Sequence, residues 1–357
     1  MNKTVFMQKA IKAAEKGKGR VYPNPLVGCV IVKDNKIVSE GCHEYFGGNH
    51  AEINALVKAG TKAKGADLYV TLEPCNSYGK RPPCSQAIIK AGIKRVFYAV
   101  KDPNVLKSRE TLEKGGIKVY SGILRDKAKG LLKDYLKHLK IKPKVSVKAA
   151  ITLDGKIATR DYDSKWITSV KARNYVHKLR SEYDAVLVGT NTVLKDDPYL
   201  TSHGKGKNPV RIFVDFTLKV PKKYRIVDGS AVTVVVYDEK LKNIPKHLFK
   251  KNIILAPVNA GAAKRDFKVI IKKLNGLGLK TILIEGGGEI ISSALFSSAV
   301  DDIFLFTAPK IIGGKNSVSF AGGKGVSKIS EALSVKNIKI TKIGPDVLTY
   351  GRLRTAD

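Results

Sequence analysis

The 357 residues are more than one ordinary hydrophobic core organises, so two domains of unequal length are expected. Hydrophobic residues make up 43% and charged residues 27% of the chain, a globular composition that excludes a disordered protein. The formal charge of +34 creates a broad positive potential that favours anionic ligands. The lysines are spread through every segment instead of clustering with aromatics, so a solvated basic surface is expected and a specific nucleic-acid groove is not.

In chain order, residues 1–20 read as a short amphipathic helix carrying Lys3, Lys9, Lys12 and Lys16, without the apolar stretch of a signal peptide. Apolar runs such as Leu26 to Val32 and Thr281 to Ile284 are too short to cross a bilayer, so a soluble cytoplasmic protein with no membrane partner is expected. From Leu26 to Gly41, two β-rich runs flank Asp34-Asn35 as in a hairpin. Helix over 51–59, strand over Asp67 to Thr71, helix over Cys84 to Lys90 and strand over Arg95 to Val100 then alternate, the pattern of a sheet covered by helices. One lysine-rich helix is predicted over Asp126 to Lys140, with Leu131, Leu132, Leu136 and Leu139 at helical spacing. Pro143 interrupts before a strand over Val145 to Ala150, which sets the domain boundary near Lys142 and gives domains 1–142 and 143–357. Further strands are predicted over Ala185 to Val188, Val210 to Val214, Val232 to Val236, Thr281 to Ile284 and Ile303 to Phe306.

The four cysteines, Cys29, Cys42, Cys75 and Cys84, all lie in the first quarter of the chain, and nothing secretory argues for disulfides. His50-Ala51-Glu52, Pro74-Cys75 and Pro83-Cys84 form the most specific pattern. One imidazole and two thiolates can hold Zn2+ and leave a fourth position for water, with Glu52 free to carry protons. A helix turns about 100° per residue, so His50 and Glu52 must straddle a first turn to act together. Cys84, if it opens its helix, sits at the positive end of the dipole. The chemistry is hydrolytic deamination: metal-activated water attacks an amino-bearing ring carbon while Glu52 relays the proton to departing ammonia. The competing reading is a structural metal site completed by Cys29 or Cys42, but both lie in strand-like runs where burial is expected.

The run Tyr69-Val70-Thr71-Leu72-Glu73-Pro74-Cys75, followed by Tyr78-Gly79-Lys80 and Pro82-Pro83-Cys84, resembles the bacterial riboflavin-biosynthesis deaminase, as does Pro23-Asn24-Pro25-Leu26-Val27-Gly28. The eight residues between the cysteines separate it from cytidine and tRNA-adenosine deaminases, which resemble Cys-x-x-Cys. The resemblance implies a cytidine-deaminase-like three-layer α/β/α domain, with catalytic Glu52, metal ligands His50, Cys75 and Cys84, and substrate contacts at Asn24, Lys80 and Asn104. Two departures stand out: Ser77 occupies a stretch where the family carries a histidine, and Val105-Leu106-Lys107-Ser108-Arg109 replaces a glycine-containing loop. Lys80, Lys107 or Arg109 would then supply phosphate contacts.

The second half resembles the family's reductase partner through Lys148-Ala149-Ala150, Leu153-Asp154-Gly155-Lys156-Ile157-Ala158, Ser164-Lys165-Trp166-Ile167-Thr168, His177-Lys178-Leu179-Arg180, Asp196-Asp197-Pro198 and Glu285-Gly286-Gly287-Gly288. It implies a dihydrofolate-reductase-like α/β domain that uses NADPH to convert a ribosyl group to ribityl. By the same resemblance Lys148, Thr168, Arg180, Asp197, Leu200, His203 and Glu285 contact the substrate. Asp154, Ser164, Trp166, Ile167, Gly286, Gly287 and Gly288 contact NADPH. Glycines after a strand admit close backbone approach, and a helix start favours anions, although such glycines are often only a turn. Leu200-Thr201-Ser202-His203 stands where the family has a Leu-Thr-x-Arg run, so His203 would replace an arginine, and affinity would weaken as pH rises through the histidine's pKa. The partners expected are a phosphorylated pyrimidine, NADPH and further copies of the chain in a homo-oligomer. A nucleic-acid base deaminase, or a member in which one domain is only a binding module, are the competing readings.

Overall fold

Asp34 and Asn35 both adopt left-handed backbone, with φ of 49° and 62°, and turn the chain from β1 (Gly28–Lys33) into β2 (Lys36–Cys42). Two consecutive left-handed residues form the hairpin turn whose twist matches that of the flanking strands. In this computed structural model, which describes residues 3–76, 83–103, 105, 107–250 and 252–353, the chain divides into two units, Met1–Ile141 and Lys142–Asp357.

In the first unit, β3 (Asp67–Leu72), β4 (Arg95–Val100) and β5 (Lys118–Ser121) complete a five-stranded sheet of order β2-β1-β3-β4-β5. The helices are α1 (Lys3–Glu15), α2 (Ala51–Ala59), α3 (Cys84–Lys90), α4 (Ser108–Lys114), α5 (Arg125–Leu131) and α6 (Lys133–Lys140). Glycines on adjacent β1–β2 positions show how two layers of helix are accommodated. A Cβ on Gly28 would lie 2.0 Å from the Ala10 carbonyl oxygen of α1, and one on Gly41 would lie 2.4 Å from the Ala51 carbonyl oxygen of α2. Gly41 pairs with Cys29, the residue after Gly28, so the two glycines face opposite sides of the sheet. Helices therefore cover both faces. Across the α1 face, Tyr69, Phe97 and Tyr120 pair in register on β3, β4 and β5 and stack with centroids 4.6 and 4.9 Å apart. The single helix predicted over Asp126 to Lys140 is two helices, α5 and α6, broken at Leu132, whose φ of −94° and ψ of 4° leave the helical region. The break lets Leu132 sink fully into the core; Gly130 just before it weakens the helix.

The second unit is built on a nine-stranded sheet of order β11-β10-β9-β8-β12-β6-β13-β16-β15. Its strands are β6 (Lys144–Thr152), β8 (Ala185–Gly189), β9 (Val210–Val214), β10 (Thr233–Asp238), β11 (Ile253–Val258), β12 (Thr281–Glu285), β13 (Asp302–Ala308), β15 (Lys336–Ile343) and β16 (Asp346–Arg352), while β7 (Lys156–Ala158) pairs separately with β14 (Val318–Ser319). From β11 to β13 all neighbours are parallel; β16 alone is reversed, pairing antiparallel with β13 on one side and β15 on the other. Helices α7 (Val170–Ser181), α8 (Thr190–Asp196), α9 (Ala260–Arg265), α10 (Lys268–Gly276) and α11 (Gly288–Phe296) make the crossovers. Strands such as β8 and β12 are buried almost throughout, as parallel strands covered on both faces must be. The sequence reading did not anticipate β5, β11 or the β15–β16 hairpin. Among the described residues no helix is long and apolar enough to cross a membrane.

Candidate active sites

In the first unit, His50 is the N-cap residue of α2 and Glu52 lies in its first turn. Cys84 opens α3 after Pro83, which is at the N-cap. The ligand atoms of His50, Cys75 and Cys84 lie within 4.8 Å of one another. Cys84 Sγ is 3.3 Å from His50 Nδ1, and the Cys84 amide donates to Cys75 Sγ at 3.2 Å. That amide bond is the helix-start stabilisation expected for a thiolate, with the two cysteines locked in one geometry. His50 is exposed, Cys75 half-buried and Cys84 buried, so the cluster opens to solvent on the histidine side.

The electrostatics suit a dication. The hydrogen bond from the Cys84 thiol, helped by His50, holds Cys75 down at about 4, while that same bond and burial push Cys84 up. A thiolate favoured at Cys75 suits a divalent metal, which on binding would displace the proton favoured at Cys84. One nitrogen and two sulfurs match the donors zinc takes at a catalytic site. Glu52 is 3% exposed, and burial raises its pKa, with His50 opposing. Burial favours its protonated form and His50 its carboxylate, the opposed influences that suit a group exchanging protons. Cys29 and Cys42 are buried in strands and lie outside the cluster.

Asn24 donates through Nδ2 to His43 Nε2 at 3.1 Å, and His43 Nδ1 meets the Asn49 carbonyl oxygen at 2.8 Å. This network assigns the His43 proton to Nδ1, and burial keeps the ring neutral, with its pKa lowered to about 4. His43 also meets His50 edge-on, with centroids 5.7 Å apart. The sequence reading missed His43; its signal was the position at the end of β2, immediately after Cys42. Lys80 and Asn104, like Ser77, Tyr78, Gly79, Pro82 and Leu106, lie outside the described residues. Arg109, considered for a phosphate contact, directs its guanidinium to Glu113 at 2.8 Å and to the Val119 carbonyl oxygen at 3.1 Å.

In the second unit, a cavity of about 1120 Å³ brings together Lys148, Ser164, Trp166, Ile167, Thr168, Arg180, Asp197, Leu200, His203, Glu285, Gly286, Gly287 and Gly288. It lies at the carboxyl ends of parallel strands, where α/β sheets open a crevice for ligands. Lys148 and Glu285 are register partners on β6 and β12. Arg180 Nε and Nη2 donate to the two Glu285 oxygens at 2.7 and 3.0 Å, and Lys148 approaches at 3.5 Å. Burial would raise the Glu285 pKa, but the two cations overcome it and hold the carboxyl at about 2.

The glycine run serves two purposes. Gly287 caps α11, and its amide donates to Thr192 Oγ1 at 3.0 Å. A Cβ on Gly288 would meet the Ser319 carbonyl oxygen at 2.3 Å, so that glycine is required by the protein's own packing. Gly286 and Gly287 place their backbone on the cavity wall at the start of α11, where a helix N-terminus favours an anion such as a dinucleotide phosphate. The Asp154 carboxylate accepts from the amides of Ile312 and Gly313 at 3.2 and 2.7 Å. An Asp at a turn satisfies nearby amides, and this loop takes the side chain for that purpose. His177, Arg173, Tyr162 and Arg225 line the cavity without having been predicted. His177 precedes Arg180 by three on α7, and that shared helix face was the available signal.

Residues 1–100 match the family model of the cytidine and deoxycytidylate deaminase zinc-binding region, and residues 143–349 that of the RibD C-terminal domain. The riboflavin biosynthesis protein RibD of Aquifex aeolicus is 42% identical over 97% of each chain, and that of Escherichia coli is 35% identical over 98% of this chain and 99% of the relative. Among solved structures, the Thermotoga maritima diaminohydroxyphosphoribosylaminopyrimidine deaminase/5-amino-6-(5-phosphoribosylamino)uracil reductase is 38% identical with a TM-score of 0.51, covering 98% of each chain. Acinetobacter baumannii RibD is 31% identical with a TM-score of 0.54 over the same share. The α/β classes expected of the two halves are those of these families. The chain belongs to the RibD family: it is a bifunctional enzyme of riboflavin biosynthesis, joining a zinc-dependent deaminase to an NADPH-dependent reductase.

Proposed function

We propose that residues 1–142 hydrolytically deaminate 2,5-diamino-6-(5-phosphoribosylamino)pyrimidin-4-one, and that residues 143–357 then reduce the ribosyl group of the product to ribityl. The observation that carries the first half is the convergence of His50, Cys75 and Cys84 beside buried Glu52. Zinc, when held by those three residues, supplies a water acidified toward neutrality. Glu52 takes a proton and delivers it to the leaving amino group, so that ring C–N gives way to C–O and ammonia departs. Asn24, held by His43, orients the pyrimidine, and Lys80 and Asn104 add substrate contacts.

In the second half, NADPH supplies the hydride. Lys148, Thr168, Arg180, Asp197, Leu200, His203 and Glu285 surround the sugar phosphate, while Ser164, Trp166, Ile167 and the Gly286–Gly288 run hold the cofactor. Support comes from their common cavity, whose volume of about 1120 Å³ accommodates a dinucleotide beside a second ligand. The working form is a homo-oligomer in the cytoplasm. Incubating the intact chain with the diaminopyrimidine and NADPH should release ammonia and then oxidise the cofactor; absence of both reactions refutes the assignment. The apparent mass in sedimentation equilibrium tests the assembly.

A further inference from the structure

Just beyond β3 the Glu73 amide still donates to the Val100 carbonyl oxygen of β4, at 2.9 Å. Pro74 has no N–H and cannot continue the ladder, so the chain leaves the sheet there with its course still open. Two bonds from other elements then set it. Ser108 Oγ donates to the Pro74 carbonyl oxygen at 2.7 Å, and the Ser85 amide donates to the Cys75 carbonyl oxygen at 3.1 Å.

A peptide unit is planar, so a bond to the Pro74 oxygen orients the Cys75 amide with it, and a bond to the Cys75 oxygen orients the Asn76 amide. The backbone torsions of Cys75 lie between those two planes. With both planes held, the direction in which the Cys75 side chain leaves the backbone is held too, and the Cys84 amide takes its sulfur at 3.2 Å. Ser85 and Cys84 belong to α3, which itself brings a ligand to the cluster. Ser108 begins α4, which brings none.

Ser108 is fully buried, and Pro74 is buried with it. A serine beside a helix start commonly bonds the local backbone, yet α4 has no side-chain cap and this hydroxyl reaches 34 positions back along the chain. With water excluded, the Pro74 oxygen would be left unsatisfied without it. Ser108 also falls in the stretch 105–109 that the sequence marks as a departure from the family.

We propose that Ser108 is a positioning residue for the metal ligand Cys75, which rests on the zinc-site reading above and deepens it. By orienting the Pro74–Cys75 peptide, the hydroxyl holds the sulfur in its ligating position before zinc arrives. Less freedom is then lost on binding, and the metal is held more tightly.

The test is zinc binding by the intact chain in competition with a chromophoric chelator, with Ser108→Ala and Ser108→Thr beside the unaltered protein. Ser108→Ala should bind zinc about 10- to 100-fold more weakly, the range for lost groups behind a metal ligand. Ser108→Thr, which keeps the hydroxyl, should restore most of the affinity. Calorimetric melting at one free zinc concentration separates this role from ordinary support of the fold. A bond that only stabilises the domain lowers the melting temperatures of the zinc-free and zinc-loaded forms equally, whereas weaker zinc binding shrinks the rise that zinc gives. Unchanged zinc affinity in Ser108→Ala, an equal lowering of both melting temperatures, or a Ser108→Thr chain as weak as Ser108→Ala each overturns the proposal, as does a Ser108→Ala chain that does not fold with zinc present. No zinc bound by the unaltered chain would instead overturn the zinc-site reading.

Discussion

Arg180 closes on both carboxylate oxygens of Glu285, at 2.7 and 3.0 Å, although the two residues are 105 positions apart. Parallel pairing of β12 with β6 adds Lys148 to the same carboxylate. Two cations on one anion leave a buried cluster with net positive charge at the cavity wall, the sign a phosphorylated substrate requires.

Removing the anion should therefore cost stability as well as activity. Glu285→Ala leaves Arg180 and Lys148 buried without their partner, and a loss of about 3–5 kcal/mol is expected. Urea unfolding followed by fluorescence of Trp166, the sole tryptophan, reports on this unit. A loss within about 0.5 kcal/mol would contradict the burial argument.

The same carboxylate sets an acid limb. Its folded-state pKa falls from an ordinary 4.5 to about 2. A depressed carboxyl stabilises the fold fully above the unfolded value and loses that contribution as pH drops through the folded one. Stability of the second unit should thus decline from about pH 4.5 toward 2, and Glu285→Gln should lack this component. Parallel acid titrations of both proteins check it, and identical slopes would reject it.

Glu52 and the three metal ligands should separate cleanly in their effects. Glu52→Gln is expected to slow ammonia release by about 10²- to 10⁴-fold with zinc content unchanged, since it removes a proton carrier and no ligand. Cys75→Ser should instead lower zinc content, and chelation should stop ammonia release while leaving NADPH oxidation on pre-deaminated substrate intact. Metal analysis beside the two assays distinguishes these outcomes; zinc loss in Glu52→Gln would reassign that residue as a ligand.

What the sequence disclosed was local. The His50–Glu52 spacing, the proline-preceded cysteines and the Asp34-Asn35 turn each depend on a few neighbouring residues, and the structure keeps all of them. Contacts made by the fold were invisible: the clasp of Arg180 on Glu285 and the hold of His43 on Asn24 join segments whose meeting depends on strand order. The break at Leu132 was hidden for a related reason, because leucines at helical spacing look the same whether a helix continues or tilts to bury one of them.

His43 and Asn24 offer a test on substrate binding alone. His43 accepts the Asn24 amide while donating to Asn49, so His43→Phe preserves an aromatic ring but orphans that amide. A loss of about 1–3 kcal/mol in binding, or roughly 5- to 150-fold in KM for the pyrimidine, is expected with zinc content retained. An unchanged KM would show that Asn24 needs no such support.

The two helix-facing glycines connect the scaffold to the chemistry. A Cβ at Gly41 would fall 2.4 Å from both the Ala51 carbonyl oxygen and the Ala55 amide nitrogen, and neither backbone group can swing aside. Gly41→Ala must therefore push α2 off the sheet, moving the helix start that carries His50 and Glu52, at a cost of about 1–3 kcal/mol. Gly28→Ala makes an equally close approach to α1, which carries no ligand, and so provides the matched control. Both substitutions should lower thermal stability, but ammonia release per folded molecule and zinc affinity should drop much further in Gly41→Ala. Equal losses of activity in the two variants would mean that α2 does not set the zinc site's geometry more tightly than the rest of the core does.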